Sequence, residues 1–275
     1  DAVADLILPH LKDRPLSLKR YPDGIHGEYF FQKDMPRTPS WLRTVPIYHE
    51  EKRGAATNYA FADDRAGLLY LVNLGCIDHN PWMSRLDALD SPDFVLIDLD
   101  PEECPYERIV EAALLVKKQL DALGMTGYPK TTGGGGMHIY IPIEPVYSYD
   151  DSRNFAELLA RLAVAERPDL FTTPRPVARR QKGKVYFDYL QNGRGKTIAS
   201  PYSLRAFPGA PVSTPLAWRE VKPGLQPGDF TMRNAPARFE RVKDLFAGVL
   251  EKPQRLEKAL ERVEKLYGRR TAEQR

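Results

Sequence analysis

The sequence predicts an α/β fold, on three observations. The run Phe94-Val95-Leu96-Ile97-Asp98-Leu99-Asp100-Pro101 reads as a buried strand that Pro101 stops, because proline cannot donate a ladder hydrogen bond. Tyr106 to Leu123 carries Ile109, Val110, Ala113, Leu114, Leu120 and Leu123 at helical spacing and ends in Gly124. His138-Ile139-Tyr140-Ile141-Pro142-Ile143 is a second apolar strand. The order strand, helix, strand lays the helix on one sheet face. A further helix, capped by Asp150 or Asp151, runs to about Ala165 with Phe155, Leu158, Leu159 and Leu162 as its buried stripe.

The chain has 275 residues, 42% of them hydrophobic, enough for a substantial core. A net charge of +3 does not announce nucleic acid, but the cations are unevenly placed. The 2 cysteines, Cys76 and Cys104, form no Cys-x-x-Cys pattern, which argues for a reducing compartment and against structural zinc. No apolar run approaches the roughly 20 residues of a membrane span, and no signal peptide is seen. Asp1 to Leu11 reads as the tail of a helix, as though the sequence began partway into a larger protein.

Along the chain, Pro15 to Tyr21 alternates as a strand, Pro22-Asp23-Gly24 is a turn, and Glu28 to Lys33 is a second extended run. This hairpin sets Lys19, Arg20 and Lys33 beside Tyr29, Phe30 and Phe31. Cations meet phosphates and rings stack on bases, so it suits a nucleic-acid edge; core aromatics flanked by solvated cations is the competing reading. Arg37 to Arg53 is rich in proline and charge, with Trp41 as a packing anchor and a loop over Glu50 to Gly54. Leu68 to Gly75 reads as a short helix, and Ile77 to Trp82 as a polar patch containing His79.

Asp98 and Asp100 share a strand face, with Cα atoms roughly 6.5–7 Å apart. That spacing suits two divalent ions about 3.5–4 Å apart, as in polymerases and nucleases. Like charges at the end of an apolar strand call for neutralisation. A metal supplies it; solvated carboxylates, one capping the next helix, are the alternative. In Lys130-Thr131-Thr132-Gly133-Gly134-Gly135-Gly136-Met137-His138, four glycines let several N–H groups point into one concavity, a phosphate nest. It is not a P-loop, since no Gly-Lys-Thr/Ser follows and a strand comes next; a flexible turn is the other reading. Arg175, Arg179, Arg180, Lys182 and Lys184 lead into a strand over Val185 to Leu190 that carries Asp188, a candidate third carboxylate. Arg194, Lys196 and Arg205 are candidate polyphosphate cations, on a basic turn and a returning extended segment from Ala199 to Arg205. From about Pro236 two helices follow, marked by Leu245, Val249 and Leu250 and by Leu256, Leu260, Val263 and Tyr267.

These stretches together resemble the polymerase domain of bacterial ligase D, in the archaeo-eukaryotic primase superfamily, from about Arg14 to Trp218. The resemblance lies in long runs: Leu18-Lys19-Arg20-Tyr21-Pro22-Asp23-Gly24, Phe30-Phe31-Gln32-Lys33, Asp98-Leu99-Asp100-Pro101, Phe187-Asp188-Tyr189 with Asn192-Gly193-Arg194-Gly195, and Tyr202-Ser203-Leu204-Arg205-Ala206 with Pro208-Gly209-Ala210-Pro211-Val212-Ser213. It implies two mixed or antiparallel sheets with flanking helices and an active-site cleft between them. The chain is then one catalytic domain over residues 1–275, closed by helices over 236–275. Asp98, Asp100 and Asp188 would hold two ions, manganese or magnesium. Thr132, Gly133, Gly134, His138, Gln191, Thr197 and Arg205 would bind the nucleotide, with His79 as a further contact. The family's Ser-Gly-Gly-Lys-Gly-x-His motif carries Gly135 here in place of lysine, so one phosphate cation is missing. Lys19, with Arg20 and Lys33, would hold a downstream 5′-phosphate, and Phe30 or Phe31 would stack on a template base. Relatives have a further N-terminal segment that helps bind this phosphate; here it is absent or begins before Asp1.

The implied activity is addition of NTPs or dNTPs to a primer 3′-OH, in gap filling and end extension during double-strand break repair by non-homologous end joining. The implied partners are gapped or broken DNA, preferably 5′-phosphorylated, a ligase domain and a Ku-type end-binding protein, with no membrane, in a bacterial cytoplasm. A stand-alone primase-polymerase, a metal-dependent nuclease and a non-catalytic nucleic-acid-binding module are the competing functions. No ligase signature is present in the chain.

Overall fold

A computed structural model describes residues 1–48 and 54–272, with side chains described as far as residue 266. In chain order the elements are α1 (Ala4–Leu11), β1 (Leu16–Arg20), β2 (Phe30–Gln32), β3 (Thr44–Tyr48), β4 (Ala56–Ala60), α2 (Arg65–Asn73), β5 (Cys76–Pro81), β6 (Phe94–Glu102), α3 (Tyr106–Leu123), β7 (Tyr128–Thr131), β8 (Met137–Pro142), α4 (Tyr149–Glu166), β9 (Phe171–Thr172), β10 (Lys184–Phe187), α5 (Ala235–Val242), α6 (Ala247–Glu251) and α7 (Glu257–Ala272). The strands form a mixed five-stranded sheet in the order β7-β8-β6-β10-β9, an antiparallel sheet in the order β2-β1-β5, and the hairpin β3-β4.

β6 is the middle strand of the larger sheet, antiparallel to β8 on one side and β10 on the other. Its alternation sorts two cores. Val95, Ile97 and Leu99 pack with Ile109 and Val116 of α3 and Phe155 and Leu159 of α4. Phe94 and Leu96 face the other way, onto Tyr140, Tyr149 and Phe246. The next two positions on that second face are Asp98 and Asp100, so the pleat that buries two apolar side chains also delivers two carboxylates to one place. Pro101 does not stop the strand, which continues to Glu102. β8 ends opposite Leu99, so beyond that point one side of β6 is unpaired and a residue without an N–H is tolerated.

α3 spans the expected residues, with Gly124 at φ 66° as its left-handed cap; Leu114 is among its exposed positions. α4 is capped by Ser148, not by Asp150 or Asp151. Asp151 instead completes the capping box by accepting from the Ser148 N–H at 2.9 Å. Phe155 and Leu159 of the expected stripe are buried, and Leu158 and Leu162 half-buried.

Other expectations change. Ile77 to Trp82 is mostly strand β5, because its alternating Asp78 and Asn80 are absorbed by polar partners and do not mark a loop. β3 arises within the stretch Arg37 to Arg53, expected only to be rich in proline and charge, and pairs with β4 beyond it; of the expected loop at Glu50 to Gly54, all but Gly54 lies outside the described residues. Trp41 is 56% exposed, edge-on to Tyr70, and anchors no core. The second extended run shortens to Phe30–Gln32. Ala199 to Arg205 forms no strand and is held by single bridges such as Leu204 with Val212. The C-terminal part has three helices, with Leu245 in the link between α5 and α6; the expected position of Tyr267 lies outside the described side chains. No helix among the described residues is long and apolar enough to cross a membrane.

Candidate active site

Two neighbouring strands, β6 and β10, bring the three carboxylates together. Asp98 pairs across the sheet with His138, and Asp100 with Tyr186. Asp188 follows the last residue of β10, and its backbone N–H donates to the Asp98 carbonyl at 2.9 Å. Burial, reinforced by Asp188, pushes Asp98 up to about 7; Lys130, Arg205 and Lys196 oppose the shift. Burial, with the charges of Asp98 and Asp188, pushes Asp100 up to about 8. Among the described residues Oδ1 of Asp188 is buried without a hydrogen-bond partner, and Oδ1 of Asp98 makes no well-aligned hydrogen bond, only an approach to the His138 ring.

Asp98 and Asp100 line a cavity of about 340 Å³, together with Asn80, Thr132, Gly134, Gly135, Gly136, His138, Thr197, Arg205 and Phe207. The glycine loop forms one wall, but not as an open nest. The Thr132 hydroxyl accepts from the N–H groups of Gly134 at 3.1 Å and Gly136 at 3.2 Å, which closes the loop on its own first side chain. Gly133 sits at φ +70°. Gly136 has no room for a side chain: a Cβ there would lie 2.6 Å from the Leu99 carbonyl oxygen and 2.9 Å from Oδ1 of Asp100. The loop thus rests directly on the Asp-bearing strand.

Arg205 stands against the glycine loop and supplies positive charge to the wall. Arg205 donates from Nε to Oδ2 of Asp78 at 2.9 Å and from Nη1 to the Thr132 carbonyl at 2.6 Å. His138 sets Nε2 3.2 Å from Oδ1 of Asp98, and burial, with Lys130 and Arg205 nearby, holds it well below the usual histidine range, hence neutral. Lys130 is fully buried, donates to Oγ of Ser213 at 2.6 Å and is likewise lowered by burial. Arg194 and Lys196 are engaged elsewhere, with Asp90 and the Leu190 carbonyl. Of the further basic residues, Arg180 pairs with Glu102 at 2.6 Å and Lys182 with Glu103 at 2.7 Å.

Among the expected nucleotide residues, His79 stands apart. It is buried, pushed down to about 4 by desolvation, and absent from the cavity wall, which Asn80 lines. Gln191 also lies behind the wall, donating to the Thr197 carbonyl at 2.8 Å. Gly133 backs the wall through its contact with Arg205.

On the smaller sheet, Lys19 pairs with Phe31 and Arg20 with Phe30. Tyr29, Phe30 and Phe31 are 54%, 45% and 59% exposed, so they are surface rings and not core. The Lys19 ammonium lies 4.2 Å from the Tyr29 ring centroid. Arg20 is tied to the Leu74 carbonyl and to Gln32, both at 2.7 Å, while Lys33 is exposed.

The family model for the LigD primase-polymerase domain matches residues 1–246. The chain belongs to the LigD primase-polymerase family. It is 34% identical over 255 residues to the bifunctional non-homologous end joining protein LigD of Bacillus subtilis, and 34% identical over 265 residues to the multifunctional LigD of Pseudomonas aeruginosa. These alignments take in 92% and 94% of this chain but only 40% and 31% of those proteins. The polymerase domain from Mycobacterium tuberculosis ligase D, solved in complex with DNA, superimposes with a TM-score of 0.84 at 28% identity, over 92% of this chain and 90% of that one.

Within this LigD-type fold, sequence reasoning missed Asp78, Asn80, Lys130 and Phe207. Asp78 and Asn80 alternate on one strand, and reading Cys76 to Pro81 as a strand would have put both on one face. Lys130 reads as a surface residue until its burial is seen. Phe207, on the Ala206 to Ala210 turn, has no sequence signal.

Proposed function

We propose that this chain is a nucleotidyltransferase that adds NTPs or dNTPs to a primer 3′-OH, filling gaps and extending ends in double-strand break repair by non-homologous end joining. The observation that carries this reading is that Asp98 and Asp100 line a cavity with Arg205 and the glycine loop, with the Asp188 charge close enough to raise both carboxyl groups, in a member of this family. Asp98, Asp100 and Asp188 are the residues that would hold divalent ions, manganese or magnesium.

The donor set fits. All three side chains offer hard carboxylate oxygens, Oδ1 of Asp188 has no hydrogen-bond partner among the described residues, and burial raises Asp98 and Asp100, so a cation would relieve them. Among the described residues no three His, Cys, Asp or Glu side chains form a ready-made cage. In this reading substrate phosphates complete the coordination that the carboxylates begin. When bound, such ions supply a more acidic 3′-OH and charge neutralisation on the transferring phosphoryl group. The protein's own share is positional. Arg205 offers N–H donors to the polyphosphate, Thr132 fixes the loop, and neutral His138 offers a donor without repelling a metal.

The exposed rings of Phe30 and Phe31 and the nearby Lys19 supply the DNA contact in this reading, with a downstream 5′-phosphate near Lys19. A ligase domain and a Ku-type protein are the partners that end joining calls for. The test is primer extension on a gapped duplex, with dNTPs and NTPs compared in manganese and magnesium. Metal-dependent extension is expected; no extension under any of these conditions overturns the proposal.

A further inference from the structure

We propose that Asp78 is a positioning residue: it fixes the guanidinium of Arg205 so that its remaining donors face the cavity. The inference rests on reading that cavity as a nucleotide site.

Asp78 lies on β5 and is 2% exposed. Burying a carboxylate is costly unless it is paired, and a buried ion pair is seldom more stabilising than an apolar pair of the same size. Its presence in the core therefore calls for a reason other than stability. Among the described residues its one charged contact at hydrogen-bond distance is Nε of Arg205, at 2.9 Å, and its other oxygen is buried without a partner. The Thr132 carbonyl takes a second N–H, from Nη1, at 2.6 Å.

Those contacts sit on different parts of a rigid planar fork, so together they fix its plane as well as its position. An arginine has five N–H groups, and these two bonds leave three for a ligand. The stem is confined too. A Cβ at Gly133 would lie 2.7 Å from Cγ of Arg205, so the chain crosses bare backbone there, and the guanidinium carbon lies 5.6 Å from the Phe207 ring centroid. A long side chain held this way before the ligand arrives loses little freedom on binding. Without Asp78 the same cation would be present but not aimed.

The test is a cycle of Asp78→Ala, Asp78→Asn, Arg205→Ala and the double Asp78→Ala/Arg205→Ala protein. It reads nucleotide KM and kcat in primer extension, direct binding of an NTP in manganese, and thermal midpoint. Asp78→Ala is expected to raise KM about tenfold with kcat within about twofold of wild type. Asp78→Asn, which keeps an acceptor for Nε, should fall between. Asp78→Ala should add nothing in the Arg205→Ala background. A merely structural residue would not give this split or this dependence on Arg205. Arg205→Ala alone strands a buried carboxylate and should lower the midpoint, and the double substitution should recover it. If Asp78→Ala does not fold, the near-isosteric Asp78→Asn carries the kinetic comparison. A KM unchanged in both Asp78 variants, or losses that multiply in the double, overturns the positioning role while the nucleotide site stands. A wild-type protein that binds no nucleotide overturns both.

Discussion

The side-chain amide of Asn192 makes two hydrogen bonds with the backbone of Leu96, accepting from its N–H at 2.8 Å and donating to its carbonyl at 2.8 Å. One side chain thus acts as a short extra strand where β10 has ended, and it pins the turn that follows Asp188 against β6. The Asp188 N–H bonded to the Asp98 carbonyl is the next rung of that attachment. Asn192→Asp would replace the donating amide with an acceptor and leave the Leu96 carbonyl unmatched. We expect a loss of about 1–3 kcal/mol in urea unfolding and a lower kcat with KM little changed. A native midpoint would show that the turn is held by other means.

Raised carboxyl groups make a prediction about pH. Asp98 and Asp100 bind protons more tightly folded than unfolded, with folded values of about 7 and 8, well above the ordinary carboxylate value of 3.8. Their contribution is therefore most favourable at low pH and is lost as pH rises through about 7 to 8. In EDTA, Asp100→Asn should raise the thermal midpoint relative to wild type at pH 8.5 and less at pH 5.5. Manganese should raise the wild-type midpoint more at pH 8.5, where ion and proton compete least. Equal gains at both pH values would contradict the shifts.

The glycine loop gives a steric prediction. Gly136→Ala would drive a methyl into the Leu99 carbonyl and Asp100, at 2.6 and 2.9 Å. Activity should fall at least about tenfold, since small misplacements at a reacting centre are that costly. Gly135→Lys is the contrasting case. Its Cβ would meet only the Pro101 ring, at 3.0 Å, which must yield slightly. The added cation on the cavity wall should lower nucleotide KM, and an unchanged KM would mean that position 135 does not reach the phosphates.

The exposed aromatic hairpin predicts DNA behaviour. Gapped DNA with a 5′-phosphate should bind more tightly than its 5′-OH counterpart, with the advantage shrinking as salt rises and disappearing in Lys19→Ala. Phe31→Ala should weaken binding by up to about a hundredfold, from stacking worth about 1–3 kcal/mol per base. Fluorescence titration with both DNAs checks each point; no preference in wild type would remove the phosphate contact from Lys19.

Much of this was legible in the sequence because it is set locally. The pleat of Phe94 to Asp100 fixes which face carries the carboxylates, and the spacing from Tyr106 to Gly124 fixes α3. What was not legible depends on partners far along the chain. Asp78 and Asn80 look like loop residues until Arg205, 127 positions later, accounts for the buried carboxylate. That the Thr132 hydroxyl staples its own loop depends on how the glycines fold back onto it, which residue order alone does not show. The glycine at 136 can be read as freedom, but it is required by Leu99 and Asp100 pressing on it. His79 is buried and off the cavity wall, while Asn80, one position along the strand, lines it, and only the strand's pleat decides which of the two does so.

The most direct test of the central claim is single-nucleotide addition to a gapped primer by wild type and by Asp98→Ala, Asp100→Ala and Asp188→Ala proteins whose circular dichroism matches wild type. The account predicts metal-dependent addition by wild type and loss of at least about a thousandfold in each variant, as expected when groups that hold the reacting phosphate's counter-charge are removed. Addition within about tenfold of wild type by any one of the three would contradict the assignment of that carboxylate to the catalytic centre.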